Sequence, residues 1–164
     1  MSSPLPFDIS LWDFSLYQYS RPGVSDICIA LQDEEGVNVN VLLWSLWLGH
    51  KGFQLDIALL AQAIDAIQAW DKNYVIPLRQ LRRNLKTEFG TDNVGVENIR
   101  TLIKQAELLA EKHLQNVLQT MMREEGSTTY FINRREFMFE NLKCYLQSRG
   151  VGEPAVGALM ALIE

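Results

Sequence analysis

The chain has 164 residues, of which 48% are hydrophobic and 21% are charged, a composition typical of one globular domain covering residues 1–164. That balance excludes a disordered, a collagen-like or a disulfide-dense protein. The formal net charge of −5 argues against nucleic-acid binding, because nucleic-acid-binding domains usually carry a strongly basic face.

Apolar residues recur at helical spacing through almost the whole chain. The alternation of valine and asparagine over residues 37–41 is the one strand-like pattern. We interpret it as the start of a helix capped by Asn38 or Asn40, because the apolar run continues without alternation to Leu48. In chain order, helices are predicted at about residues 10–19, 24–34, 41–48, 56–72, 78–89, 96–124 and 133–148, with a short eighth helix after Gly152.

Two of the predicted helices have an unusual distribution of apolar residues. The helix of about residues 56–72 is apolar on two sides and has a narrow polar stripe, so we predict that it is the central helix. The tail after Gly152 has almost no polar residue, so it must be buried against the rest of the chain or against a partner. The predicted fold is an all-α bundle of about eight helices.

A long string of motifs in the first three quarters of the chain resembles a known family. The string reads Leu11-Trp-Asp-Phe-Ser-Leu-Tyr, Pro22-Gly-Val, Leu31-Gln-Asp, Gly36, Asn40-Val-Leu-Leu-Trp, Trp70, Val75-Ile-Pro-Leu-Arg and Leu81-Arg-Arg. Over roughly residues 10–125 it is similar to a family of uncharacterised all-helical proteobacterial proteins, a domain of unknown function. Asn38 stands where that family's pattern has aspartate. The resemblance implies a helical bacterial cytoplasmic protein and no particular activity.

Targeting, catalytic and metal-binding motifs are missing from the sequence. The N-terminus has no basic residue before an apolar run, and the most apolar stretch, residues 37–48, is shorter than the ~20 residues that span a bilayer. Cys28 and Cys144 are too far apart for a metal or redox motif. Glu111 and His113 are two positions apart, whereas helical di-iron sites use a spacing of three. We predict a cytoplasmic protein with no catalytic residue, metal or cofactor, and we favour a protein that is not an enzyme.

A polar cluster lies between the second and third predicted helices. It contains Asp33, Asn38 and Asn40. One interpretation is an exposed turn with Asn38 as the helix cap. The other makes Asn40 a buried amide that pairs with residues 32–34 and forms the polar end of a pocket.

A basic strip runs along the helix of residues 78–89. Arg79, Arg82, Arg83 and Lys86 follow one another at helical spacing on one face. The strip could bind a phosphate-bearing ligand, an acidic protein or RNA, or acidic residues elsewhere in the fold could neutralise it. We expect the guanidinium groups of Arg79 and Arg83 to be exposed.

Three functions are compatible with these patterns. The favoured one is a non-enzymatic interaction or regulatory protein, which would bind another protein, or a second copy of itself, through the apolar tail or the 79–86 face. The second is a small-molecule-binding protein or enzyme with a pocket between the helices near Trp12 and Asn40. The third is RNA binding, which the acidic net charge disfavours. The candidate binding residues are Asp33, Asn38, Asn40, Arg79, Arg82 and Arg83.

Overall fold

A computed structural model describes residues 5–122 and 133–163, and every regular element in these two ranges is helical, which confirms the all-α prediction. The predicted end of the sixth helix at residue 124 lies outside the described residues. None of the described helices is long and apolar enough to cross a membrane. The helices are α1 Leu11–Tyr19, α2 Val24–Glu35, α3 Val39–His50, α4 Ile57–Trp70, α5 Ile76–Phe89, α6 Val94–Thr120, α7 Arg134–Ser148 and α8 Glu153–Met160.

Helices α4 and α5 form one continuous rod. A π-helical turn, Asp71–Val75, joins them without a break, so the described chain has seven separate helices and not the eight expected. Pro77 lies in the first turn of α5. Proline lacks an N–H and its ring clashes with the carbonyl four residues earlier, and that residue, Asn73, lies in the π turn. A π turn inserts an extra residue, so the helix continues past the proline and joins the two helices predicted separately at about residues 56–72 and 78–89.

The central helix of the fold is α3. All of residues 40–50 are buried, and α3 packs against α1, α2, α6 and α7. The prediction that the helix of residues 56–72 is central is therefore wrong. Only Leu60, Ala63 and Ile67 are buried in α4, and four of its alanines, Ala58, Ala61, Ala66 and Ala69, are exposed. Alanine exposes little apolar surface, so these positions need no cover.

Helix α7 crosses α3 at close range. A Cβ atom on Gly49 would lie within 2.5 Å of Met138 Cα, so only glycine fits at this crossing. The fully buried Asn141 accepts a hydrogen bond from Leu55 N at 2.7 Å and donates to Phe53 O at 2.7 Å. It thereby satisfies the backbone of the loop that leaves α3.

The apolar tail packs against its own chain. Val156, Leu159, Met160 and Ile163 are buried, and Arg135 donates hydrogen bonds to the carbonyl oxygens of Met160 and Ile163. The exposed face of α8 consists largely of small residues. The tail was predicted to be buried either against its own chain or against a partner. The structure shows burial against its own chain, so the prediction that the tail is a surface for a partner is wrong.

Helix α5 and the first half of α6 form an arm. They pack against each other, and neither α5 nor residues 94–106 of α6 has a buried residue. The arm leaves a space between its inner face and helices α1, α2 and α3, and that space holds the candidate site.

Both cysteines are free thiols; Cys28 is buried and Cys144 is half-buried. Burial raises the pKa of the Cys28 thiol to about 12, so this sulfur is not a nucleophile at neutral pH.

Candidate ligand-binding cavity

A cavity of about 330 Å³ lies between the arm and the first three helices. Its wall includes Trp12 and Ser15 from α1 and Asn40 from α3, and α5 contributes Arg79, Arg82 and Arg83. The fold therefore brings Asn40 of the polar cluster and three arginines of the basic strip together at one cavity, although they are about 40 positions apart in sequence, whereas Asp33 and Asn38 do not line it.

The two asparagines of the polar cluster have different roles. Asn38 is the N-cap of α3, and its Oδ1 accepts hydrogen bonds from Asn40 N at 2.9 Å and Val41 N at 3.3 Å. The Asn40 side chain is buried, as the second interpretation predicts. Its Oδ1 accepts a 2.8 Å hydrogen bond from Gln115 Nε2, so the predicted pairing with residues 32–34 is wrong. Asn40 lies two residues after the cap, and its hydrogen bond with Gln115 connects α3 to α6.

Two arginines of the basic strip are bound to carboxylates of α6. Arg79 donates to Glu107 at 3.2 Å and to Glu111 at 2.7 Å, and Arg82 donates two hydrogen bonds to Glu107 at 2.5 and 3.2 Å. The Arg79 side chain is only 17% exposed, so the expectation of a free guanidinium group there is wrong. The structure shows that carboxylates of the same chain neutralise the basic strip. Most of these carboxylates lie on α6 and not in the acidic first third of the chain.

Arg83 connects the arm to the body of the molecule. Its Nη1 donates to Asp33 Oδ1 of α2 at 2.9 Å, and both side chains are 42% exposed. The hydrogen bond from Arg83 lowers the pKa of the Asp33 carboxyl. Arg83 is half-buried and its charge is paired, so the expectation of a free guanidinium group is wrong for this arginine too.

The pairing of Glu107 and Glu111 with the basic strip was not predicted from the sequence, where Glu111 was considered only as a metal ligand. Glu107 lies in phase with the buried Ala110, Leu114 and Leu118 of α6, so an acidic residue within an apolar stripe was the available signal. Burial raises the pKa of the Glu111 carboxyl, and the neighbouring Arg79 opposes that rise.

Two residues that line the cavity each have a buried oxygen atom with no hydrogen-bond partner among the residues that the structure describes. They are Ser15 Oγ and Gln115 Oε1, and their residues are 4% and 3% exposed. Most buried polar atoms in folded proteins are hydrogen-bonded, so two unpaired atoms at one cavity are unusual. A bound molecule that donates a hydrogen bond would satisfy Gln115 Oε1, which can only accept.

The family model described as "Protein of unknown function (DUF2390)" matches residues 10–118, which is two thirds of the chain. The chain belongs to the DUF2390 family. No curated protein and no solved structure matches it. All the residues that line the cavity, from Trp12 to Gln115, lie inside the segment that matches DUF2390.

The DUF2390 chain offers little for metal chemistry within the described residues. No three His, Cys, Asp or Glu side chains there are grouped to hold a metal ion. His113 stacks on Trp70 with ring centroids 4.4 Å apart, and His50 Nε2 lies 3.0 Å from Pro6 O. What the cavity can do chemically is bind: it has aromatic and aliphatic walls, guanidinium donors and unpaired oxygens.

Proposed function

We propose that this DUF2390 protein binds a small organic molecule in the cavity between the arm and helices α1 and α3. The observation that carries the proposal is the pair of unpaired, buried oxygens, Ser15 Oγ and Gln115 Oε1, at the wall of one cavity. A buried polar atom without a partner costs about 1–3 kcal/mol, and a bound molecule that supplies the partner recovers that free energy.

The composition and size of the cavity support the same function. Trp12 and Leu43 provide apolar wall, and polar groups converge from α3, α5 and α6. A largely apolar pocket with a few polar groups is typical of small-molecule sites, and its volume lies near the lower end of their usual range. This corresponds to the second of the three functions that the sequence allows.

Binding of indole, a neutral aromatic molecule with one N–H donor, tests the proposal. We expect millimolar indole to cause saturable NMR shifts at the side chains of Trp12 and Gln115. Ser15→Phe places a ring in the cavity and should abolish these shifts. Ala58→Phe adds the same ring at an exposed position of α4 and should leave them unchanged. Shifts scattered over the surface, or equal binding by the Ser15→Phe protein, would contradict the proposal.

A second candidate is a protein interaction through an exposed apolar row of α6, which keeps the favoured sequence-based function. Ile99, Leu102 and Leu109 of α6 follow one another at helical spacing and are 53%, 65% and 68% exposed. An exposed apolar row of this kind is typical of an interface. We expect Leu102→Ser to weaken any self-association measured by sedimentation, and no association of the unmodified chain would argue against a homodimer.

RNA binding through the basic strip is not proposed. Arg79, Arg82 and Arg83 are each paired with a carboxylate, so the strip has little uncompensated positive charge. The bacterial and cytoplasmic setting that the family resemblance implies stays a prediction.

A further inference from the structure

We propose that the molecule bound in this cavity is a singly charged organic anion, such as a carboxylate, with an apolar body and one hydrogen-bond donor. This inference rests on the proposed function and names the chemical class of its ligand. Three features of the cavity wall carry it: the unpaired Lys104, the unused guanidinium donors, and the unpaired acceptor at Gln115.

The first feature is an unpaired cation beside paired arginines. Four cationic side chains line the cavity, namely Arg79, Arg82, Arg83 and Lys104. The three arginines are paired with the carboxylates of Glu107, Glu111 and Asp33, and the carboxylate of Asp71 also acts on Arg79. Lys104 makes no ion pair within the described part of the chain, so its ammonium group is available to a ligand. A single negative charge on the ligand would pair with it.

The second feature is the number of donors that the ion pairs leave unused. A guanidinium group has five N–H donors. Arg79 and Arg82 each use two of them, on Glu107 and Glu111. Both side chains lie in the cavity wall and are only 17% and 26% exposed. The remaining N–H groups are therefore partly shielded from water and already held in place, a favourable arrangement for a carboxylate.

The third feature defines the uncharged part of the ligand. Trp12, Leu43 and Leu108 form apolar wall in the same cavity. Gln115 Oε1 is buried there and lacks a donor, because Gln115 Nε2 already donates to Asn40. A ligand with an apolar body would pack against this wall, and one N–H or O–H group on it would donate a hydrogen bond to Gln115 Oε1.

Three indole derivatives of nearly equal size distinguish the contribution of the ligand's charge to binding from that of its apolar body. They are indole-3-acetate, tryptophol and tryptamine, which are anionic, neutral and cationic at pH near 7. Isothermal titration calorimetry of the unmodified protein should show that indole-3-acetate binds at least about tenfold more tightly than tryptophol, because charge-assisted hydrogen bonds are about twice as strong as neutral ones. Tryptamine should bind most weakly.

A matched pair of lysine variants assigns the effect to the cavity. Lys104→Met removes the unpaired cation at the wall. It should reduce the affinity for indole-3-acetate by about two- to fivefold, the range for an exposed ion pair, and leave the affinity for tryptophol unchanged. Lys86→Met makes the same charge change on the arm, outside the cavity lining, and should leave both affinities unchanged.

The outcomes distinguish the two proposals. If tryptophol binds as tightly as indole-3-acetate, or tryptamine binds most tightly, the inference about charge is wrong and the proposed function stands. If Lys86→Met reduces the affinity for indole-3-acetate as much as Lys104→Met does, the preference for the anion comes from the overall charge of the protein, and the inference is again wrong. If none of the three binds at millimolar concentration, both proposals are wrong.

Discussion

Asn40 on α3 and Gln115 on α6 are joined by a 2.8 Å hydrogen bond between side-chain amides in the core of the molecule. The two residues are 5% and 3% exposed. The pair connects the central helix to the helix that carries the carboxylates of the cavity. It also leaves Gln115 Oε1 at the cavity wall, so the packing of the core and the chemistry of the site depend on the same two side chains.

Replacing Asn40 by alanine should destabilise the protein by about 1–3 kcal/mol, because Gln115 Nε2 would become a buried donor without its partner. The free energy of unfolding in urea measures the effect. Asn116→Ala, an exposed amide on the same helix as Gln115, is the control and should change stability by less than about 0.5 kcal/mol. An unchanged midpoint for Asn40→Ala would contradict the assignment.

Two arginines of the basic strip should differ in their contribution to stability. Arg79→Met leaves the buried Glu107 and Glu111 with one partner fewer, and we expect a loss of about 2–4 kcal/mol. Arg83→Met removes an ion pair that is 42% exposed on both sides, so the loss should stay below about 1 kcal/mol. Chemical unfolding of the two variants compares them directly, and equal losses would mean that the network at Glu107 is not buried.

Two helical glycines should respond in opposite directions to alanine. Gly49→Ala forces a methyl group against the backbone of Met138 and Phe137, and the expected cost is about 1–3 kcal/mol or more. Gly157 has no atom within 4 Å of its added Cβ, so Gly157→Ala should stabilise by about 0.5–1 kcal/mol through helix propensity. Thermal unfolding of both proteins tests the close crossing of α3 and α7. A Gly49→Ala protein as stable as the parent would show that the crossing is looser.

The stability of the protein should decrease in mild acid because of His50. Burial lowers the pKa of this imidazole in the folded state, whereas the unfolded chain keeps a value of about 6.5. Below that pH the unfolded state binds a proton that the folded state resists, so unfolding becomes easier as pH falls through the unfolded pKa. The raised pKa of the Glu111 carboxyl acts in the opposite direction, because the folded state then binds the proton first.

The contribution of His50 is isolated by comparing the protein with its His50→Gln variant. Glutamine can still donate to the Pro6 carbonyl, which lies 3.0 Å from His50 Nε2, but it does not titrate. Unfolding free energies at about pH 7.5 and about pH 5.5 should fall more steeply for the parent than for the variant. Equal slopes would mean that the imidazole titrates alike in both states.

The sequence predicted the elements of this fold well because local chemistry sets them. Helical spacing of apolar residues indicated the helices, Asn38 acts as the predicted cap of α3, and Gly36 ends α2 with a positive φ of 64°. The burial of Asn40 and of the apolar tail followed in the same way, since an amide or an apolar surface in such a position has to be removed from water or paired. The spacing of the two cysteines and their apolar neighbours were enough to argue against a metal or redox motif.

Which elements lie next to one another could not be read from the sequence, because periodicity shows which face of a helix is buried and not what buries it. Asn40 forms a hydrogen bond with Gln115, 75 positions away. Arg79 forms ion pairs with Glu107 and Glu111 on a different helix. The choice of α3 over α4 as the central helix also arises from packing, since α3 presents large side chains on all sides and α4 presents alanines on one. The cavity exists only because the arm places the guanidinium groups of α5 opposite α1 and α3. A site formed by residues from five helices is a property of their packing, and no local pattern contains it.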